Sequence, residues 1–195
     1  EIVELCGLLA DPACRLLTLV GIGGSGKTRL AIETTRALRD QFDDGDCFVE
    51  LQTLSSTDYL VAAIGDALGI VFRGQDEPRK QLLHYLREKS LLLVLDNFEH
   101  LLAGVELLSA ILAAAPRVKA LVTSREVLSL QEEWLYPVSG MRFPTGNAQE
   151  NLQQYEAVQL FVDQARRVQR NFSVEADLIH IAPICQYPEG IPLGI

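Results

Sequence analysis

Gly21-Ile22-Gly23-Gly24-Ser25-Gly26-Lys27-Thr28 is the stretch that decides the fold. It matches G-x-x-x-x-G-K-[ST], and its flanks matter as much as its letters. Before it, Leu16-Leu17-Thr18-Leu19-Val20 is a short apolar run that stops at glycine, which predicts a strand covered on both faces. After it, Leu30, Ala31, Thr34, Ala37 and Leu38 recur at helical spacing. Glycines between a strand and a helix let successive N–H groups turn inward around an anion, in conformations that side chains would block. The helix aims the positive end of its dipole at the same place. Lys27 can reach β- and γ-phosphates, and the Thr28 hydroxyl suits Mg2+. Gly21 through Thr28, with Arg29 beside them, are the candidate phosphate-binding residues. The plainer reading is a glycine-rich turn with a chance lysine.

Strand and helix signals alternate away from this turn. Cys47-Phe48-Val49-Glu50-Leu51 predicts a second strand. Leu60, Ala63, Ile64, Ala67 and Leu68 predict a helix, with Ser55, Ser56 and Thr57 as capping candidates. Gly69 to Glu77 reads as a loop, and Pro78 suits the first turn of a helix carrying Leu82, Leu83 and Leu86. Leu91-Leu92-Leu93-Val94-Leu95 is the strongest strand signal, and Leu101, Leu102, Val105, Leu108, Ile111 and Leu112 make a helical stripe that Pro116 ends. Val118 to Val122 is a fourth strand, and Leu135-Tyr136-Pro137-Val138 a fifth whose proline places it at an edge. From about Asn151 the pattern turns helical. Val158, Phe161, Val162, Ala165 and Val168 form one stripe, and Leu178, Ile181, Ala182 and Cys185 another. The expectation is an α/β chain: a three-layer P-loop NTPase fold with a mostly parallel five-stranded sheet in residues 1–150, and a helical extension in 151–195.

Composition excludes other classes. Of 195 residues, 48% are hydrophobic and 22% charged, which suits a packed domain and not a disordered segment. Seventeen Lys and Arg face 26 Asp and Glu, a net charge of −9 that argues against a broad nucleic-acid-binding surface. It leaves room for one anion site built from backbone N–H groups. No apolar run approaches the ~18 residues that span a bilayer. Cys6, Cys14, Cys47 and Cys185 form no C-x-x-C pair, so reduced thiols in a cytosol are expected, with Cys47 and Cys185 as small core hydrophobes. Glu1 is no natural start, and an apolar stretch runs up to Ile195; the chain reads as a fragment of a longer protein.

A phosphate-binding turn that works on ATP also needs a metal carboxylate at a strand end. Asp96, after Leu91–Leu95, is that candidate; alternatively it caps the helix that follows. Asn97 stands where fast ATPases place a base, and a carboxamide cannot accept a proton. Glu99 is either its substitute or an ordinary first-turn acid. Arg125 closes Val122-Thr123-Ser124-Arg125. If that strand lies between the other two, Arg125 is aimed at a γ-phosphate; otherwise it pairs with a nearby acid. His84, His100 and His180 lack metal-ligand spacing, Trp134 and Tyr136 read as sheet-edge packing, and Arg166, Arg167 and Arg170 as a solvated helix face.

Gly21–Thr28, Leu91–Asp96, Thr123-Ser124-Arg125 and Gly190-Ile191-Pro192-Leu193, in this order, resemble the STAND signalling ATPases, specifically their NB-ARC or AP-ATPase branch and within it bacterial regulators. The resemblance runs from about Cys14 to Ile195. It implies that Gly21–Thr28 bind the phosphates of ATP or ADP, that Thr28 and Asp96 hold Mg2+, that Arg125 senses the γ-phosphate, and that Pro192 packs on adenine. Lys27, Asp96 and Arg125 are the candidate catalytic residues. It also implies that Glu1-Ile2-Val3-Glu4-Leu5 lies at the end of a segment near the adenine. Helical and winged-helix domains follow in such proteins, and these, with the nucleotide, are the expected partners. Nucleotide-dependent self-association of the longer protein is a further expectation; membrane contact and direct nucleic-acid binding by this segment are not expected.

The function expected is a cytoplasmic regulatory switch, off with ADP and on with ATP, that hydrolyses slowly. The alternative is a rapidly cycling ATPase that drives a motor or remodels a substrate. A small-molecule kinase gives no account of Thr123–Arg125 or Pro192, and no N-K-x-D occurs to read guanine.

Overall fold

The structure, a computed structural model, describes residues 1–145, 152–169, 172 and 174–194. The anticipated boundary between 150 and 151, Arg170, Ile195 and the Leu178 side chain lie outside what it describes. The chain forms two compact units, residues 1–21 with 27–137, and 22–26 with 138–195.

The first unit runs α1 (Ile2–Ala10), β1 (Leu16–Val20), α2 (Lys27–Leu38), β2 (Asp46–Glu50), α3 (Leu60–Ala67), α4 (Pro78–Leu86), β3 (Leu92–Asp96), α5 (Val105–Ala114), β4 (Lys119–Ser124) and β5 (Glu133–Pro137). The strands order as β2-β3-β4-β1-β5, and every pairing is parallel. The sheet is therefore wholly parallel, which requires a crossover between every pair of neighbours. Each strand of the β3–β4–β1 centre is covered on both faces, so its sequence reads as continuously apolar. One face, with Leu93, Leu95, Ala120 and Val122, packs on Ile64, Leu82, Leu86 and Ile111 of α3, α4 and α5. The opposite face meets α2, on which α1 packs. The expected three-layer α/β fold is present, and β5 with Pro137 lies at the edge.

Two cations close helix ends. Arg15, just before β1, donates from Nε and Nη2 to the carbonyls of Leu112, Ala115 and Val118 at 2.7–3.1 Å, where α5 leaves its last carbonyls unpaired. Lys119 Nζ donates to Leu9 O and Asp11 O at 2.6 Å, at the C-terminal end of α1. Both place positive charge at the negative end of a helix dipole.

Some local expectations change. The stripe over 101–112 is not one helix: a 3-10 run spans Phe98–Gly104, and Leu101 at φ −116°, ψ 25° breaks the helical progression before α5 begins. Ser56 caps a 3-10 turn before α3, accepting from Asp58 N. Glu1–Leu5 open α1, whose Leu5 and Leu9 are buried at i, i+4 spacing.

In the second unit, α6 (Glu156–Val168) and α7 (Val174–Gln186) bury Ala157, Val158, Val162, Ile181 and Cys185 together. Val168, anticipated on that apolar face, is 91% exposed, because the helix ends there. Gly190 has φ +75°, and a Cβ on it would stand 2.0 Å from Met141 O; only glycine fits. Its carbonyl accepts from Met141 N at 2.7 Å. All four cysteines are free thiols, and Cys14, Cys47 and Cys185 are buried. No helix among the described residues is long and apolar enough to cross a membrane.

Candidate functional site

In the α/β unit, strand order brings the candidate residues together. β4 lies between β1 and β3, so the C-terminal ends of all three sit side by side. That edge is where open parallel sheets take ligands. Gly21 leaves β1, and its N–H donates to Ser124 O at 3.3 Å. Lys27 and Thr28 open α2. Lys27 Nζ donates to Gly21 O at 2.7 Å. Burial lowers the Lys27 ammonium from the usual lysine range; Glu99 opposes this, Arg125 adds to it, and Asp96 opposes it more weakly.

Asp96, 7% exposed, is the hub. Its Oδ1 accepts from Thr28 Oγ1 at 2.8 Å and from Thr123 Oγ1 at 2.6 Å. Thr123 Oγ1 in turn accepts from Asn97 N at 2.9 Å. Asp96 therefore does not act as a simple helix cap; its carboxylate joins the start of α2 to the ends of β3 and β4. Asn97 itself is left-handed, at φ 69°, ψ 50°, and turns the chain off the strand. Thr123 is the residue that sequence reasoning passed over. Its signals are a hydroxyl at the end of an apolar strand, two residues before Arg125, and its place in the Thr123-Ser124-Arg125 motif, which sequence reasoning reads for Arg125 alone.

Arg125 meets the nearby-acid reading in part. Its Nε lies 3.0 Å from Glu99 Oε1; Arg125 is 62% exposed and Glu99 16%. Glu99 Oε2 is buried with no hydrogen-bond partner among the described residues. His100 Nε2 lies 3.0 Å from Leu51 O, a contact away from these carboxylates. Arg29 is exposed on α2 and its side chain makes no hydrogen bond or ion pair with the described residues.

Residues 22–26 belong to the second unit. Gly24 has φ +80°, and a Cβ there would stand 2.8 Å from Leu193 Cβ, so the backbone conformation and the space both call for glycine. Leu193 N donates to Gly24 O at 3.4 Å. Pro192 Cγ would lie 3.8 Å from a Cβ on Gly26, which sets Pro192 beside the glycine turn. Ser25 Oγ is buried without a partner among the described residues.

The family model described as AAA domain matches residues 11–129. This chain belongs to the AAA domain family. It is an AAA-type P-loop ATPase domain. It is 36% identical over 183 residues to a Mycobacterium tuberculosis protein named "Putative HTH-type transcriptional regulator", covering 93% of this chain and 19% of that protein. It is 32% identical over 197 residues to an uncharacterized protein of the same organism, covering all of this chain and 47% of the other. The chain thus spans about a fifth of the first relative and about half of the second. Among solved structures its fold is similar to Cdc6p from Pyrobaculum aerophilum, with TM-score 0.62, 18% identity, and coverage of 85% of this chain and 48% of that one. It is also similar to a STAND protein with a tetratricopeptide repeat sensor from Pyrococcus horikoshii, with TM-score 0.57, 17% identity, and coverage of 99% and 28%.

Proposed function

We propose that this AAA domain is the nucleotide-binding switch of a regulatory ATPase in the NB-ARC or AP-ATPase branch of the STAND class, off with ADP and on with ATP. The observation that carries this reading is the hydrogen-bonded line Thr28–Asp96–Thr123–Asn97, which joins the start of α2 to the ends of β3 and β4. The hydroxyl of Thr28 and the carboxylate of Asp96 are hard oxygen donors 2.8 Å apart, a pair that suits Mg2+. No group of three or more His, Cys, Asp or Glu among the described residues would hold a metal unaided, so its other ligands would be nucleotide oxygens and water. Bound there, Mg2+ would neutralise phosphate charge. The glycine turn, with a Ser25 hydroxyl that has no partner among the described residues, suits an anion, and Lys27, which follows it in the sequence motif, carries a positive charge.

Arg125 is the γ-phosphate reader in this proposal, and Pro192, beside Gly26, the residue that packs on the base. Residues 1–150 form the nucleotide-binding core and 151–195 the extension that leads to further helical domains. The name carried by one of the two M. tuberculosis relatives supports transcription regulation as the output, and the four free thiols a cytoplasmic setting. Asn97, with its carboxamide after the metal aspartate, supports slow turnover rather than a motor.

The test is Lys27→Ala. Calorimetry should show loss of both ATP and ADP binding while circular dichroism shows an intact fold. Unchanged affinity removes the assignment. Phosphate release by the unmodified chain should lie well below the ~10 s⁻¹ typical of enzymes. Sustained release at or above that rate replaces the switch with the rapidly cycling machine.

A further inference from the structure

We propose that Glu99 is the catalytic base of this domain, a role the residue after Asp96 cannot fill, and that Arg125 is the positioning residue that holds it. The proposal rests on the ATP-binding reading above.

Asn97 is excluded twice. Its carboxamide accepts no proton, and its backbone N–H is engaged by Thr123 while the left-handed turn carries the chain away from β3. The Phe98–Gly104 run starts directly after that turn and packs against β4. Glu99 there is a carboxylate in two halves. Oε1 is 3.0 Å from Arg125 Nε. Oε2 is buried and has no hydrogen-bond partner among the described residues. A buried carboxylate oxygen without a donor is costly, and such groups are rare enough to call for an explanation. A donor supplied by a ligand, here the attacking water, is that explanation. A surface acid that merely begins a helix would be hydrated on both oxygens.

Location agrees with this. Glu99 meets Arg125 at the end of β4, and β4 lies between β1 and β3, whose C-terminal ends carry Gly21 and Asp96. Arg125 engages Glu99 through Nε and leaves its Nη nitrogens without a protein partner among the described residues, available for a phosphoryl oxygen.

The chemistry balances with water as the only co-reactant. A water oxygen forms the new bond to the γ-phosphorus while one of its protons passes to Glu99 Oε2. The bond from that phosphorus to the β,γ-bridging oxygen breaks, and its electron pair leaves on ADP. Inorganic phosphate is the second product, and Glu99 returns the proton to solvent.

The experiment compares the unmodified chain with Glu99→Gln and Glu99→Asp. Calorimetry with ADP and with a non-hydrolysable ATP analogue reads binding; phosphate release at saturating ATP reads turnover; chromatography of nucleotide retained after gel filtration reads its identity. Glu99→Gln should bind both nucleotides within about threefold of the unmodified chain and lose release about 100-fold or more, the usual scale for a lost general base. It should retain ATP where the unmodified chain retains ADP. Glu99→Asp, a carboxylate on a shorter arm, should fall between the two. Equal release by the unmodified chain and Glu99→Gln overturns the proposal, as does Glu99→Asp no faster than Glu99→Gln. An unmodified chain that binds ATP and releases no phosphate overturns it as well. Failure of the unmodified chain to bind either nucleotide defeats the ATP-binding reading first, and the base with it.

Discussion

Thr123→Val is the substitution that weighs the hub of the site. Valine keeps the shape of threonine, so the 1% exposed position gains no cavity and only the hydroxyl is lost. Two bonds go with it. The 2.6 Å donation to Asp96 Oδ1 is a hydrogen bond to a charged acceptor, worth about 1.5–3 kcal/mol. The Asn97 N–H, 2.9 Å from that hydroxyl, is left without this acceptor, at about 1–3 kcal/mol. The added methyl returns about 0.8 kcal/mol of apolar burial. The net expectation is a loss of about 3 kcal/mol, a large share of the ~5–15 kcal/mol that a domain holds. Urea unfolding followed by circular dichroism measures it: the midpoint should fall by roughly 1–2 M with the slope unchanged. A loss below about 1 kcal/mol would refute the reasoning, because Asp96 would then be fixed without Thr123.

Arg125→Ala should weaken ATP binding by about 1.5–3 kcal/mol and leave ADP binding nearly unchanged, since only a group that touches the γ-phosphate separates the two nucleotides. Calorimetry with both decides it, and equal losses would make Arg125 a structural or β-phosphate residue. Cys47, buried in the core, has its thiol pushed up to about 11, first by burial and then by Asp46. A raised pKa means that burial of the neutral thiol stabilises the fold fully below the unfolded thiol's range and that this contribution is lost as pH rises through about 11. Thiol labelling at pH 8 should therefore spare Cys47 until urea unfolds the chain; rapid labelling of the folded protein would contradict its burial.

What the sequence revealed depended on how local the cause was. Leu91–Leu95 is apolar throughout because β3 is covered on both faces, and that can be read within five residues. The glycine turn is legible for the same reason: its conformational demand falls on Gly24 itself. Pro137 marked an edge strand because a missing N–H can be spared only there. Partnerships were different. Thr123 binds Asp96 from 27 positions away, and Arg125 chooses Glu99 rather than the adjacent Glu126, because β4 lies next to β3. Strand order is a tertiary outcome, and no local pattern encodes it. The 3-10 run at Phe98–Gly104 was hidden by apolar spacing that suits a helix, while the break comes from one backbone angle pair at Leu101. Val168 shows the converse, a residue with the right spacing and no surface left to cover.

The place of β1 in the sheet has a consequence for the chain as it leaves the ribosome. β1 is an early strand, yet neither of its neighbours is made until much later: β4 begins at Lys119, and β5 follows it. Arg15 waits 103 positions for Val118. At ordinary rates of translation, that is roughly 5–20 s during which Leu16–Val20 has no strand to pair with. β2 and β3 can join in the meantime, but the sheet stays in two pieces until β4 is inserted between β3 and β1. The last of the three central strands to be synthesised thus completes both the core and the ligand edge in one event, and the nascent domain carries an apolar strand in need of protection until then.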